Sequence, residues 1–254
     1  MKQVLVIVPF PMTDANLMKR QDQLSAVKLD SKLNFTFKSV IAAPRNYVSS
    51  IDMALADLGI FNAGRNAEKD GYDAVCIDTM SDSGVAALRS VLSIPVVGPG
   101  RVSMLMAMTL GNHFSILTMW QKWRHLYEKT LNDLGFHHAC VSIRSIDVAP
   151  DNLSLLSGKE ENIFPLLLTE ARAAIDQDRA DVIVLGSTTM HQSHGYLSNN
   201  LNVPVINPGP LSYKIIETLL GLGLSHSRIA YPTSPVSREA MIDAMMEVAA
   251  KFDH

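Results

Sequence analysis

Cysteine is nearly absent from this chain, with only Cys76 and Cys140 in 254 residues. Two isolated thiols make neither a disulfide framework nor a zinc pattern, so the expected compartment is the reducing cytoplasm. An excess of one charge is missing too. The 22 basic and 25 acidic side chains leave a net charge of −3, and no Lys/Arg stripe or basic-aromatic interleaving occurs. Nucleic acid is therefore not an expected partner. No apolar run approaches the roughly 20 residues that a spanning helix needs, so no membrane partner is expected either. The opening "MKQVLVIVPF" couples a basic residue to an apolar run. That run is short and β-branched, with no small-x-small site directly after it, and reads as a first buried strand rather than a secretory signal.

What is present is an alternation. Apolar, largely β-branched runs at 3–9, 35–43, 73–79, 94–98, 114–119, 140–147, 181–187 and 203–207 predict eight strands. Amphipathic stretches at 49–71, 120–135 and 163–180 predict helices, several closing on glycine. A last helix is expected over 237–252, with Ser237 as N-cap and Glu239 in the first turn. Strands that are apolar on both faces and separated by helices indicate parallel sheets covered on both sides. The predicted class is α/β.

Two stretches repeat one another: "DAVCIDTMSDSGVAALRSVLSIPVVGPG" from Asp73 and "DVIVLGSTTMHQSHGYLSNNLNVPVINPG" from Asp181. A single shift carries Asp73 onto Asp181 and Thr79 onto Ser187, and a shift longer by one residue carries Pro95, Pro99 and Gly100 onto Pro204, Pro208 and Gly209. Leu-Gly pairs at 110–111 and 220–221 are expected to end the helices that follow. The repeat predicts two pseudo-symmetric lobes, each a four-stranded parallel sheet flanked by helices, with 1–100 plus 211–254 in one and 101–210 in the other. Ligands of open α/β sheets gather at the carboxyl ends of strands, so the loops after Thr79 and Ser187 are expected to share the cleft between the lobes.

Those loops are rich in hydroxyls. Thr79 is followed by Met80, Ser81 and Ser83 and flanked by Asp78 and Asp82; Ser187 is followed by Thr188, Thr189, His191 and His194. Symmetry-related groups on opposite faces of a trapped carbon suit removal and return of a proton α to a carbonyl. Ser81, Asp82 and Ser83 also fit the role of helix N-caps. The "HQSH" spacing lacks a clear third ligand, so no metal is expected. His191 is the preferred general base, since a neutral imidazole is available near pH 7, and Asp78 is a second catalytic candidate. Met80, Ser81, Thr188 and Thr189 are candidate substrate contacts.

The stretches "GYDAVCIDTMSDSGVAALRS", "IPVVGPGRVSMLMAMTLGNHFSILTM" and "ADVIVLGSTTM" resemble the aspartate/glutamate/hydantoin racemase superfamily, in particular its hydantoin and allantoin racemase branch. The resemblance implies two acid/base cysteines, and residue by residue these fall on Thr79 and Ser187. Both thiols are absent. Cys76 lies three residues before Thr79, inside a predicted strand, and reads as a core thiol, as does Cys140. A free thiol ionises near pH 8.5, whereas an aliphatic hydroxyl needs a partner base, so a two-thiolate mechanism is disfavoured. The resemblance also implies substrate contacts in the turn after the first strand, here Pro9 and Phe10 of "VPFPMTD", and at Thr118 with Met119 after the fifth. It implies a homo-oligomer.

The expected function is a cofactor-independent, racemase-like isomerase acting at the carbon α to a carboxylate or cyclic amide of a small substrate. Ring opening or decarboxylation by a hydrolase or lyase on the same scaffold is the alternative. Capture of a small carboxylate without catalysis is a third reading.

Overall fold

The computed structural model describes residues 1–150 and 162–252. Its strands are β1 (Lys2–Val8), β2 (Leu33–Ser39), β3 (Ala74–Ile77), β4 (Val96–Val97), β5 (Phe114–Thr118), β6 (Cys140–Ser145), β7 (Val182–Leu185) and β8 (Val205–Ile206). The helices used below are α1 (Asp14–Arg20), α2 (Ser50–Gly64), α3 (Val85–Val91), α4 (Pro99–Leu110), α5 (Arg124–Leu134), α6 (Phe164–Asp176), α7 (Ser193–Asn200), α8 (Pro208–Leu222) and α9 (Glu239–Ala249). Each of the eight β-branched runs holds one strand. Val4 to Val8 and Ala74 to Ile77 are buried throughout, as are Phe114 to Thr118 and Val182 to Leu185. Both faces of these strands are covered, which only a helix-flanked parallel sheet provides.

The strands form two four-stranded parallel sheets, ordered β2-β1-β3-β4 and β6-β5-β7-β8. The repeat holds at the level of register. Ile7 pairs with Ile77 and Cys76 with Val97 in the first sheet; Leu117 pairs with Leu185 and Val184 with Ile206 in the second. The aspartates that open the repeats share a job. Asp73 accepts the Gln3 N–H at 2.8 Å, and Asp181 accepts the His113 N–H at 2.9 Å, so each carboxylate fastens the start of the neighbouring strand.

The chain divides into two compact units, residues 1–98 with 212–254 and residues 99–211. In the first, Leu5, Ile7, Val75 and Ile77 pack with Ile60 of α2 and Leu88 of α3. Tyr213 of α8 sets its ring against Phe35 and Phe37 of β2, with centroids 5.3 and 6.3 Å away. In the second, α4 lies on β7 and β8, and α6 lies on β5 and β6. The helix that follows β4 in sequence thus belongs to the second unit, and most of the helix that follows β8 belongs to the first.

Three helix ends differ from the sequence expectation. Gly84, at φ 74°, starts α3 and donates its N–H to Asp57 at 2.7 Å, so Ser81, Asp82 and Ser83 do not cap that helix through their side chains. At the end of α8 the chain runs through Gly221 and turns at Gly223, whose φ of 67° is the left-handed conformation that glycine adopts freely. There the Gly223 and Leu224 N–H groups donate to the Leu220 and Leu219 carbonyls. Arg238 rather than Ser237 is the N-cap residue of α9, and the Ser237 hydroxyl instead accepts the Glu239 N–H at 3.4 Å.

Candidate active site

In each unit the central repeat strand ends in a half-buried hydroxyl, and the same local geometry follows. Thr79 Oγ1 lies 3.2 Å from Ser81 Oγ and 3.5 Å from the Ser81 N–H that points to it. Ser187 Oγ lies 2.7 Å from Thr189 Oγ1 and accepts the Thr189 N–H at 3.2 Å. The repeat therefore aligns two hydroxyl pairs, Thr79 with Ser81 and Ser187 with Thr189. Side-chain oxygens that accept from a backbone N–H two residues on tighten a turn locally. The first turn extends the chain by one link, since Ser81 Oγ donates to Ser83 Oγ at 2.9 Å and both serines are fully buried.

The residue before each hydroxyl is where the turns part. Asp78 is 1% exposed and forms an ion pair with the 4%-exposed side chain of Arg20, at the end of α1. Arg20 Nε donates to Asp78 Oδ2 at 2.9 Å, a second guanidinium nitrogen reaches the same oxygen, and Gln23 Nε2 approaches the two carboxylate oxygens at 3.3 and 3.4 Å. A buried carboxylate needs this kind of pairing. The carboxylate expected to assist catalysis is thus occupied in holding the end of β3.

The second turn has Gly186 at that position. The Tyr127 hydroxyl of α5 donates to the Gly186 carbonyl at 2.7 Å, which leaves its oxygen to accept from Thr118 Oγ1 at 2.8 Å. A Cβ on Gly186 would lie 2.7 Å from the Tyr127 hydroxyl and 3.0 Å from the Leu117 carbonyl, so only glycine lets the tyrosine approach. Burial raises the Tyr127 pKa, which keeps the phenol a donor.

The remaining candidate contacts fall into two groups. Thr118, Met119, Met80 and Thr188 are all buried, and Thr118 spends its hydroxyl on Tyr127 rather than presenting it at an open surface. Pro9 is buried and offers its carbonyl to the Tyr47 hydroxyl at 2.6 Å, while Phe10 stacks on Tyr47 with centroids 5.1 Å apart. Thr79, Ser187, Thr189 and His191 are half-buried. His191 follows the single turn Thr188–Met190, and its carbonyl accepts from Asn207 Nδ2 at 3.4 Å. His194 is drawn away, with Nε2 3.1 Å from the Val205 carbonyl and 3.4 Å from Ser198 Oγ.

Neither cysteine is disposed to be a thiolate. Cys76 is buried in β3, and burial followed by the nearby Asp78 charge raises its pKa strongly. The Cys140 thiol is pushed up to about 12, chiefly by burial. Among the described residues, no group of three His, Cys, Asp or Glu side chains is arranged to hold a metal ion, and no helix is long and apolar enough to cross a membrane.

Arg20, Gln23, Tyr47 and Tyr127 were not singled out in the sequence. One signal did point to a missing partner: an aspartate at the end of an otherwise apolar buried strand must find a cation or several donors.

The family model for Asp/Glu/Hydantoin racemase matches residues 10–214. A hydantoin racemase of Rhizobium meliloti is 31% identical over 192 residues, which are 74% of this chain and 78% of that protein. The solved structure of an allantoin racemase from Klebsiella pneumoniae superposes with a TM-score of 0.83 at 26% identity, covering 95% of this chain and 98% of that one. An allantoin racemase structure from Pseudomonas fluorescens gives a TM-score of 0.82 at 24% identity over 93% of this chain and 98% of its own. The parallel sheets, the repeat and these matches agree that the chain belongs to the Asp/Glu/hydantoin racemase family.

Proposed function

We propose that this protein is a cofactor-independent racemase-type isomerase that moves the proton at the carbon α to a carbonyl of a small cyclic amide or carboxylate, without thiols. The observation that carries the reading is the matched hydroxyl pair, Thr79–Ser81 and Ser187–Thr189, at the same register position in both repeats. These are also the positions to which the family resemblance assigns acid/base chemistry.

An aliphatic hydroxyl is too weakly acidic to serve as a free base at neutral pH, but it is a good donor to a developing enolate oxygen. Thr79 and Ser187 are accordingly assigned to hold the substrate carbonyl as negative charge builds on it. His191, in the Ser187 turn, is assigned to take the α-proton, the role that imidazole fills most often in general-base catalysis. The electron pair of the broken C–H bond moves into the carbonyl to give an enolate, and a solvent-derived proton delivered to the opposite face re-forms the C–H bond with inverted configuration while the imidazolium returns its proton to water.

The relatives named hydantoin and allantoin racemase make a 5-monosubstituted hydantoin the first substrate class to test. Each enantiomer of 5-isopropylhydantoin and of allantoin is incubated with the protein in D₂O, and loss of the α-proton signal is followed by NMR alongside optical rotation. Exchange and loss of rotation above the uncatalysed rate are expected. Removing one well-placed oxyanion donor commonly costs about 10²–10³-fold in kcat, so Thr79→Ala with Ser187→Ala should lose at least that much. Unchanged turnover in the double variant would remove these residues from the site. Product formed without α-exchange would instead favour the ring-opening hydrolase reading.

A further inference from the structure

We infer that the outer face of α9, together with the part of α2 beside it, is an interface between two copies of this chain related by a twofold axis. The inference does not depend on the proposed chemistry. α9 is amphipathic, yet the chain holds it by its polar side. Arg65, at the end of α2, pairs with Asp243 and donates to the Glu239 carbonyl at 3.4 Å, and Lys69 Nζ lies 3.5 Å from the Glu239 carboxylate. Met246 alone among the described residues of α9 is buried. The opposite side carries Met241, Met245 and Val248, which are 58%, 48% and 54% exposed, and Phe252 in the closing turn is 67% exposed. A surface helix ordinarily turns its apolar stripe towards the core; here the stripe stays outside.

The face continues onto α2. Ile51 and Leu55, one helical turn apart, are exposed, as are Ile41 and Val48 on either side of the loop that leads to α2. Between the two helices lies a cavity of about 430 Å³ whose walls include Pro44, Leu55, Leu58, Met246, Ala249 and Phe252. Phe252 borders both the α9 stripe and the cavity, which joins them into one surface. A half-exposed side chain of this size offers on the order of 100 Å², so these eight side chains amount to about 800 Å², the share that each partner gives to an interface of standard size. Monomers rarely expose contiguous apolar patches larger than a few hundred Å².

Spacing, size and charge select a second copy as the occupant. Met241, Met245, Val248 and Phe252 are separated by four, three and four residues, a pattern that reads the same in both directions. An antiparallel helix pair about a twofold axis therefore sets Met245 against the partner's Val248 and Met241 against the partner's Phe252. The small Ala244 beside the stripe lets two helices approach, and methionine adapts to an irregular seam. The neighbouring charges balance: Glu247 and Lys251 pair at 3.7 Å, and Arg45 and Asp52 both line the cavity. A like face thus meets no excess of one sign. A bilayer fits less well, since helices that lie on anionic lipid carry a polar side rich in Lys and Arg, whereas this one has Glu239, Asp243 and Glu247.

The test is the mass of the full chain in solution. Sedimentation equilibrium from about 1 to 100 μM should give a dimer, or an assembly built from dimers, of the 27.8 kDa chain, because interfaces of this size hold with micromolar or tighter constants. Met245→Lys with Val248→Lys should weaken the dimer at least about 100-fold through like-charge contact, and Met245→Glu with Val248→Glu should do the same. Mixing the two variants should restore association, because the antiparallel pairing sets lysine against glutamate. A wild-type monomer throughout that range, including one that pellets with phosphatidylserine vesicles, would overturn the inference. Either variant keeping the wild-type mass, or a mixture that stays monomeric, would do so too. Should the charged variants fail to fold, a short bis-maleimide should join two copies of the Val248→Cys protein and not two of Arg172→Cys, on the exposed side of α6; equal cross-linking of the two would likewise overturn it.

Discussion

At the end of β3 the residue before the half-buried hydroxyl is Asp78, gripped by Arg20 and Gln23; at the end of β7 it is Gly186, whose carbonyl takes the proton of Tyr127. The backbones match in register, and the Asp78 and Gly186 N–H groups both donate to the strand alongside, to Ile7 and Leu117. The anchors differ in kind. One is a buried ion pair and the other a neutral hydrogen bond through a gap that only glycine leaves open. A duplicated scaffold can thus keep two turns in the same place while their supports are replaced one at a time. Chemical symmetry at the turn is a separate matter, since the repeat has Ser83 at the position that corresponds to His191.

The strongest way to separate the two anchors is to neutralise the first. Asp78→Asn leaves Arg20 buried without its counter-charge, a change that typically costs about 3–5 kcal/mol. Urea unfolding should register it, and the double variant Arg20→Met with Asp78→Leu should recover most of the loss because no charge is stranded. A cost below about 1 kcal/mol for Asp78→Asn would show that the pair is solvated rather than sealed.

The second anchor should give way more gently. Gly186→Ala forces a methyl against the Tyr127 hydroxyl and the Leu117 carbonyl, and overpacking of this kind costs about 1–3 kcal/mol. Tyr127→Phe keeps the ring but strips the Gly186 carbonyl of its donor, within the same range of about 1–3 kcal/mol for an orphaned buried group. Thermal unfolding of the two variants and their combination tests the coupling: the pair should cost less than the sum, since each change removes the contact that the other disturbs.

The smallest contrast lies behind the turns. Ser103 of α4 and Ser212 of α8 occupy matching repeat positions and are both fully buried. Ser212 hydrogen-bonds the Cys76 thiol, whereas Ser103 Oγ has no partner; the residue that corresponds to Cys76 is Val184, which has no polar atom to offer. Ser212→Ala should therefore destabilise by about 0.5–1 kcal/mol, and Ser103→Ala should be neutral or stabilise by up to about 1 kcal/mol. Opposite signs in the same denaturation assay would confirm the asymmetry; equal losses would place a bridging water at Ser103.

All eight strands were legible because their signal is local: β-branched, apolar on both faces and punctuated by proline or glycine. The correspondence between the two sheets was legible too, since two copies of one pattern constrain each other. The anchors of the turns were not. Arg20 and Tyr127 lie on helices that follow the neighbouring strands, and nothing in "DANLMKR" or "RHLYEKTLNDL" states how far one side chain reaches across a sheet. The serines before α3 were misread as caps because cap propensity and hydroxyl-to-hydroxyl bonding favour the same residue types. Gly84 settled the matter by supplying a backbone conformation that those serines avoid.

The exchange of helices between repeats has a consequence in time. Residues 1–98 carry four strands of one sheet, yet the cover for Phe35 and Phe37 is Tyr213, and the acceptor for the Asp30 N–H is Glu217. During synthesis the early half must wait for the late half before its core can close. At translation speeds of about 5–20 residues per second, that is a delay on the order of ten seconds. Through that interval an incomplete hydrophobic face stands open, so a nascent chain stalled after β4 offers chaperones a surface that the finished protein no longer displays.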